Sequence, residues 1–294
     1  MDYKEKIMEY ASLVEEALDR LLPQKDNLQA DIYRAMRYSL LGGGKRIRGV
    51  LTLVCCELAG GKKEKAIPFA AAIEMVHAYS LIHDDLPAMD NDDMRRGKPS
   101  NHIAFGEAMA ILAGDGLLGE AVNVILNNVS DEDIPSAWKA IKILANAYGP
   151  EGMLGGQVVD MQSENKKISY EELVYLQQHK TGALIKAACL MGATVGGADD
   201  ALINKLSDYA EKIGLAFQIK DDILDIESTD EELGKSIGSD SEQGKSTFVT
   251  VCGLEKSKEA VKMLSQQAAN LFKGENNSEM FLIETAKYLA NRRK

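Results

Sequence analysis

The sequence HAYSLIHDDLPAMD, residues 77–90, ends an apolar run in a dense group of carboxylates. Asp84 and Asp85 are adjacent, and Asp90 follows six positions after Asp84. Carboxylates this close repel one another unless a cation balances them. Hard oxygen ligands of this kind suit Mg²⁺, which completes its shell with water and substrate phosphates. The stretch therefore predicts one wall of a metal and diphosphate site.

A second acidic group, DDILD, lies within another helical pattern. On a helix its first and last members, Asp221 and Asp225, are one turn apart, which places both carboxylates on one face at roughly 6 Å. Asp84 and Asp90 are instead separated by about 240° on a regular helix. Pro87 removes a backbone donor and distorts the helix, so it can turn Asp90 back toward Asp84. Two such groups favour a metal site between facing helices over two solvated helix ends.

Apolar residues recur every three or four positions along most of the chain, which is the pattern of amphipathic helices. Short glycine and proline punctuation separates these segments, and strand-like alternation is rare. We therefore expect an all-α fold, a large helical bundle in a single domain of residues 1–294. The predicted helices cover residues 3–22, 28–41, 46–59, 65–84, 103–128, 134–148, 170–195, 200–226, 245–272 and 279–292.

The composition is that of an ordinary globular chain, because 45% of the 294 residues are hydrophobic and 27% are charged. A net charge of −11 argues against a nucleic-acid binder. The four cysteines show no C-x-x-C spacing, which favours a reducing compartment. The N-terminus lacks the apolar core of a signal peptide, and charged residues interrupt the longest apolar runs. We therefore expect a cytoplasmic protein with no membrane span.

Basic residues suited to a diphosphate accompany both acidic groups. Three glycines at 42–44 precede Lys45 and Arg48 at a predicted helix start, where backbone amides and the helix dipole favour an anion. A surface turn with solvated charges is the alternative reading of this segment. Further candidates follow the first acidic group or stand inside an apolar helix: Arg95, Arg96, Lys180 and Thr181.

The segment 227–243 is polar and acidic, and it interrupts the helical pattern. Long irregular loops in compact domains are often lids over functional sites. A merely solvated loop is the alternative for this segment. The sequence therefore predicts a loop here, with a lid as the functional reading.

In combination, several short motifs carry a family resemblance over essentially the full chain. The sequence resembles the trans-isoprenyl diphosphate synthases, and within them the bacterial farnesyl diphosphate synthases. Where the family more often has Lys-Ala-Thr-Tyr, residues 245–248 read KSTF, which keeps the lysine. The matching stretches are GGKRIR at 43–48, HAYSLIHDDLPAMD at 77–90, RRGKP at 95–99, GGQ at 155–157, KTG at 180–182 and FQIKDDILD at 217–225.

The resemblance implies an isoprenoid synthase bundle with a central active-site cavity, assembled as a homodimer. It implies about three Mg²⁺ ions held between Asp84, Asp85 and Asp90 on one wall and Asp221, Asp222 and Asp225 on the other. Asp84, Asp85, Asp90, Arg95, Lys180 and Asp221 are the implied catalytic residues. The implied contacts to allylic diphosphate are Arg95, Lys180, Thr181, Gln218 and Lys235, with Lys245 also in the substrate site. Those to isopentenyl diphosphate are Lys45, Arg48, His77 and Arg96.

The implied reaction joins isopentenyl diphosphate to dimethylallyl and then geranyl diphosphate, which gives farnesyl diphosphate. Tyr79 stands five residues before Asp84, about 7.5 Å along a helix, on the side toward which the tail would grow. In the resembling family an aromatic residue near this position limits the product to fifteen carbons, and Ser80 also matches the farnesyl type. Tyr79 as an ordinary core residue is the alternative. A geranylgeranyl diphosphate synthase remains the other candidate enzyme.

Two readings from other classes compete with an enzyme of this kind. Glu74 and His77 fit the Glu-x-x-His pair of di-iron bundle proteins, but that site needs a second copy. The residues three before the other histidines are Ser80, Pro99 and Leu176, so the second copy is missing. A non-catalytic partner subunit of a prenyl synthase would typically lack one acidic motif, and both motifs are intact here.

Overall fold

The computed structural model describes residues 3–227 and 246–292. Within these ranges the chain is almost entirely helical, as the sequence predicts. The α-helices are α1 (Tyr3–Leu21), α2 (Ala30–Leu40), α3 (Ile47–Leu58), α4 (Lys63–Asp84), α5 (Asn101–Phe105), α6 (Glu107–Leu126), α7 (Ile134–Tyr148), α8 (Met153–Ser163), α9 (Tyr170–Gln177), α10 (Ala183–Gly196), α11 (Asp200–Glu227), α12 (Phe248–Cys252), α13 (Leu254–Ala269) and α14 (Asn277–Asn291).

Helix α4 lies at the centre of the bundle and carries the first acidic group at its C-terminal end. It is apolar on nearly every side, and most of its residues from Ala66 to Ile82 are buried. It packs against α3, α6 and α10. A helix that is hydrophobic all round belongs in a core, so its end delivers Asp84 and Asp85 into the interior of the bundle.

A smaller apolar cluster supports the second acidic group. It joins α9, α11, α12 and α13 through Leu173, Ile219, Ile223, Phe248 and Val261. Capping boxes begin two of these helices, since Ser169 and Thr247 accept backbone N–H donors at the starts of α9 and α12. The end of α11 is therefore held in place by its packing against α9, α12 and α13.

Glycines divide two of the predicted helices. Gly106 and Gly253 have positive φ angles of 86°, which ordinary residues rarely adopt, and each separates a short helix from a long one. The prediction of unbroken helices over 103–128 and 245–272 was wrong at these points. It also missed α8, in a region where Gly149 and Pro150 resemble loop punctuation and three further glycines follow.

A π-helical turn from Gln178 to Gly182 connects α9 to α10, where the sequence predicts one continuous helix. Such turns add a residue to a helix and re-aim the side chains around it. A short antiparallel hairpin of β1 (Met94–Arg95) and β2 (Lys98–Pro99) follows the first acidic group. Its two turn residues, Arg96 and Gly97, both have positive φ, as in the type I′ turns of tight hairpins.

Two helices, α4 and α6, are long and apolar enough to span a membrane by length and composition alone. The apolar window of α4 is 72% buried and that of α6 is 39% buried. Burial of this extent in α4 is typical of a core helix. The less buried α6 presents apolar side chains at the surface of the chain.

Candidate active site

The chain folds back on itself after α4, between Asp84 and Asn91. The backbone N–H of Asp90 donates to the carbonyl of Asp84 at 2.9 Å, and Asn91 donates to Leu86 at 3.1 Å. Pro87 stands inside this turn, where a regular helix would need its missing donor. The structure thus brings Asp90 next to Asp84, as the Pro87 argument predicts.

Asp85 is nearly fully buried and binds Arg95 of the hairpin. The Nε of Arg95 donates to Asp85 Oδ1 at 3.0 Å, and its Nη2 also contacts that carboxylate. The same Nη2 reaches Asp92 at 3.2 Å. The short hairpin therefore holds a guanidinium against the first acidic group.

Asp84 carries the most perturbed carboxyl of the first acidic group. Burial raises its pKa from 3.8 to about 6, and the nearby carboxylates of Asp90 and Asp85 add to the rise. Lys180 and Arg95 act in the opposite direction. Burial and like charges destabilise the ionised form, so this end of α4 favours the arrival of additional positive charge.

Lys180 belongs to the π-helical turn and faces the first acidic group. Its Nζ lies 2.5 Å from Asp160 Oδ2 on α8, and the charges of Asp160, Asp84 and Asp90 raise its pKa despite burial. Lys180 is therefore a fixed ammonium at the acidic wall. Asp160 was not among the predicted site residues.

A chain of hydrogen bonds runs from the π-helical turn to the second acidic group. Thr181 Oγ1 donates to Gln218 Oε1 at 3.0 Å, and Gln218 Nε2 donates to Asp222 Oδ1 at 3.0 Å. The other oxygen of Asp222 accepts the backbone N–H of Phe248 at 2.8 Å. Asp222 is thus buried and supports the start of α12, besides its predicted place in the acidic group.

Asp221 is more exposed and faces the last helix. Arg292 donates from Nη2 to Asp221 Oδ1 at 2.6 Å and to the carbonyl of Phe217 at 2.9 Å. The guanidinium also stacks over the Phe217 ring at 4.1 Å. Arg292 is a second residue of the region that the sequence did not single out. Asp225 lies one turn beyond Asp221 and is buried.

His77 sits among arginines predicted to bind the second substrate. Burial lowers the pKa of His77 well below 6.5, and the charges of Arg48 and Arg96 lower it further. Burial also lowers the pKa of Arg48, while Glu74 and Asp221 raise it. The Nε of Arg48 is buried and has no hydrogen-bond partner within residues 3–227 and 246–292. A neutral imidazole beside two guanidiniums is an environment suited to an anion.

The glycine loop before α3 holds Arg96 in place. The Nη1 of Arg96 donates to the carbonyl of Gly43. A Cβ on Gly44 would lie 2.9 Å from the guanidinium carbon, so only glycine leaves room for it. Lys45 in the same loop is exposed. The sequence predicts that this glycine loop approaches an anion closely. In the structure, the group that the loop approaches is the guanidinium of Arg96.

A central cavity of about 470 Å³ lies between α3, α4, α6, α8 and α10. Lys180 and Thr181 line it and also line an adjoining polar space of about 90 Å³ with Gln218 and Asp222. The two spaces therefore meet at the π-helical turn. The polar lining of the central cavity includes Arg48, His77, Ser80, Asp84, Gln157, Lys180 and Thr181, and its apolar lining includes Tyr79, Leu86, Met89, Ile111, Met153 and Leu184.

Tyr79 lies on the same face of α4 as the apolar part of the cavity and is almost completely buried. Ser80 also lines the cavity, and its hydroxyl donates to the carbonyl of His77 at 2.9 Å. The polar end and the apolar end thus share one helix. A molecule with an anionic head and an apolar tail would match both ends.

The donor set at this site fits Mg²⁺ bound jointly with a diphosphate. Among the described residues, no three His, Cys, Asp or Glu side chains already form a metal cage. Mg²⁺ is usually held by one or two carboxylates together with substrate phosphates and water, so a complete protein cage is not required. Burial and the neighbouring carboxylates raise the pKa of Asp84, so a bound cation would stabilise its ionised form.

Glu74, which with His77 fits the Glu-x-x-His pair of di-iron proteins, has a structural role instead. Glu74 is almost fully buried, accepts the backbone N–H of Gly49 at 2.9 Å and lies 3.5 Å from Arg46. Its carboxylate therefore ties α4 to α3 inside the core. The predicted substrate contacts Lys235 and Lys245, and all of the predicted lid except Glu227, lie outside the described residues.

Comparison with known proteins places this geometry in a family. Residues 29–282 match the family model described as polyprenyl synthetase. The chain belongs to the polyprenyl synthetase family. This family membership makes it a prenyltransferase, and it accounts for the all-α bundle.

Individual relatives of this polyprenyl synthetase carry different product names. The chain is 49% identical to the farnesyl diphosphate synthase of Geobacillus stearothermophilus, over 85% of this chain and 84% of that protein. It is 45% identical to the geranylgeranyl diphosphate synthase of Cyanophora paradoxa, over 97% and 95% respectively. The apo structure of an FPP/GFPP synthase from Zymomonas mobilis superposes with a TM-score of 0.87 at 34% identity, over 98% of each chain.

Proposed function

We propose that this polyprenyl synthetase condenses isopentenyl diphosphate with dimethylallyl and geranyl diphosphates to make farnesyl diphosphate. One observation carries the proposal: a single cavity has an acidic and basic mouth at Asp84 and Lys180 and an apolar interior that includes Tyr79. An allylic diphosphate has the same two parts. The resemblance of the motifs to farnesyl diphosphate synthases agrees with this reading.

The mouth of the cavity is the proposed seat of the allylic diphosphate. Lys180 and Arg95 would contact its oxygens directly, with Thr181 and Gln218 beside them. Asp84, Asp85 and Asp90 on one side and Asp221 and Asp225 on the other would hold Mg²⁺ with it; Asp222 already serves Gln218 and Phe248. When bound, Mg²⁺ would neutralise charge that develops on the departing diphosphate.

The second diphosphate fits beside His77. Arg48 and Arg96 supply two guanidiniums, and the buried Nε of Arg48 supplies a further donor. Lys45 stands at the exposed edge of the same loop. Isopentenyl diphosphate held there would point its double bond toward the allylic carbon at the mouth.

The chemistry then depends on placement and electrostatics. The allylic carbon loses diphosphate, the double bond of the second substrate attacks it, and a proton leaves to restore an alkene. The fixed cations stabilise the leaving group, and the apolar interior excludes water that would capture the carbocation. No protein nucleophile is required, and the released diphosphate is a suitable proton acceptor.

Product length would be set where the apolar interior ends. Tyr79 fills part of this interior from α4, which supports a fifteen-carbon limit. Geranylgeranyl diphosphate synthesis is the second candidate, because a relative 45% identical over nearly the full chain carries that name. The chemistry is the same in both, and only the depth available to the tail differs.

We also propose that residues 1–294 form one polyprenyl synthase domain that acts in the cytoplasm as a homodimer. Its helices α5 and α6 expose the apolar residues Ile103, Ile111, Leu112 and Leu126. An exposed apolar surface of this kind supports a partner at these helices. A second copy of the chain is the partner that the family resemblance implies.

The test is an assay of purified protein with dimethylallyl and isopentenyl diphosphates. Wild type should form prenyl products with Mg²⁺ and lose activity with a chelator. Asp84→Ala and Asp221→Ala should lower turnover by about a hundredfold or more while keeping the helical circular dichroism spectrum. Asp93→Asn is the control, since Asp93 is an exposed carboxylate in the segment between α4 and β1. Near-normal turnover in either alanine variant would contradict a metal site between the two acidic groups.

A further inference from the structure

His83 occupies a position that the proposed roles leave unexplained. It is one turn after Tyr79 on α4, and the two rings pack edge to face with centroids 4.9 Å apart. Both rings line the central cavity. His83 therefore extends the aromatic surface that Tyr79 begins.

The imidazole of His83 bridges the space between α4 and α6. Its Nε2 lies 3.1 Å from the carbonyl oxygen of Ile111 and 4.0 Å from Asp115 on α6. A Cβ on Gly114 would lie 2.2 Å from Nε2 and 2.4 Å from Cδ2. Glycine at 114 thus lets the ring rest directly on the backbone of α6, with no side chain between them.

This contact separates the cavity from the outer surface. His83 and Ile111 both line the cavity, yet 25% of the His83 side chain is exposed, and Ile111 and the neighbouring Asp115 are exposed as well. Removal of the ring would leave a gap between α4 and α6 beside Tyr79. A growing hydrocarbon tail could enter such a gap.

We propose that His83, seated on Gly114, is the lateral wall of the tail cavity and a determinant of product length. The proposal rests on the prenyl-elongating function argued above. Tyr79 limits the tail along α4, whereas His83 closes the cavity sideways between α4 and α6. The two residues therefore restrict the tail in different directions.

Product analysis of His83 variants tests this wall. Full-length protein is incubated with dimethylallyl diphosphate, labelled isopentenyl diphosphate and Mg²⁺, and the products are dephosphorylated and separated by chain length. His83→Ala should raise the ratio of products longer than the main wild-type product by about tenfold. His83→Phe keeps a ring of similar size and should leave that ratio within about twofold of wild type.

Gly114→Ala provides an independent second variant. The new methyl group must displace the imidazole, so the product-length distribution should change from wild type. In the His83→Ala background the same change should have little further effect, because the clash is gone. Gly119→Ala is the matched control on α6, since a Cβ there meets nothing within 4 Å, and it should leave turnover and products unchanged.

The outcomes separate the two proposals. Prenyl products from wild type with an unchanged length distribution in His83→Ala would overturn the lateral wall and leave the proposed function standing. If His83→Ala does not fold, an unchanged distribution in Gly114→Ala overturns it. Wild type that forms no prenyl product would overturn the proposed function and the wall together.

Discussion

The charge of Asp84 follows from where α4 ends. Burial and the carboxylates of Asp90 and Asp85 raise its pKa from 3.8 to about 6. In the unfolded chain, neither burial nor these neighbours raise the pKa of Asp84. A raised pKa therefore costs the folded protein stability once the pH exceeds the unfolded value, and the cost is complete above the folded value.

Asp84→Asn should accordingly stabilise the protein in chelator. The expected gain is about 3 kcal/mol in the free energy of unfolding near pH 7.5. It should shrink as the pH falls through about 6 toward 4, because wild-type Asp84 then becomes protonated. Urea denaturation at several pH values measures it. A gain that does not vary with pH would contradict the assigned pKa.

Local residue relations in the site could be predicted from the sequence, but distant ones could not. The return of Asp90 to Asp84 depends on Pro87, three residues away, and was predictable. The pairing of Arg95 with Asp85 depends on a hairpin whose turn residues, Arg96 and Gly97, both need positive φ. Asp160 and Arg292 read as ordinary helix charges, because their partners lie far along the chain.

At the level of elements, the end of α14 is tied to the second acidic group. The side chain of Arg292 is only 4% exposed, and its partner Asp221 is 41% exposed. The same guanidinium bonds the carbonyl of Phe217 and stacks on its ring. These contacts fix the last helix against α11.

Arg292→Met should lower the free energy of unfolding by about 1 to 2 kcal/mol, because it removes two hydrogen bonds from a buried group. Arg34→Met is the matched control, since Arg34 pairs with Asp31 at the surface of α2. That change should stay within about 0.5 kcal/mol. Equal losses in the two variants would show that the α14 contact contributes no more than a surface ion pair.

The presence of a helix was predictable wherever apolar periodicity was strong. The prediction failed where a glycine could either end a helix or lie inside one. Gly155 and Gly156 belong to a motif of the resembling family, but no helix was predicted for them, and they lie inside α8. Gly156 lets α8 approach the π-helical turn closely, because an added Cβ would lie 2.2 Å from the backbone nitrogen of Lys180. That reason is a tertiary contact, which the local pattern of residues does not contain.

For the whole molecule, the apolar surface of α5 and α6 predicts self-association. The purified protein should elute from size-exclusion chromatography with light scattering at twice its chain mass of 32.1 kDa. Leu112→Asp should shift the mass toward the monomer, because a charge in an apolar interface lacks a partner. Met8→Asp, at another exposed apolar position, on α1, is the control. A monomeric wild type would contradict the proposed dimer.

The bundle architecture as a whole was predictable, because the period of apolar residues and the lack of strand patterns leave few alternatives. The cavity was predictable only in part. Its mouth, at Asp84 and Lys180, follows from two sequence motifs, whereas its apolar interior combines side chains from α4, α6, α8 and α10 that no local pattern links. The adjoining polar space depends on the π-helical turn, which interrupts a pattern that favoured a continuous helix.

The central claim is that one cavity binds the diphosphate at its mouth and limits the tail at Tyr79. Its most direct test is the chain length of the products that wild type and Tyr79→Ala form from dimethylallyl and isopentenyl diphosphates with Mg²⁺. We predict mainly fifteen-carbon farnesyl diphosphate from wild type and longer products from the variant. Products of the same length from both proteins would contradict it.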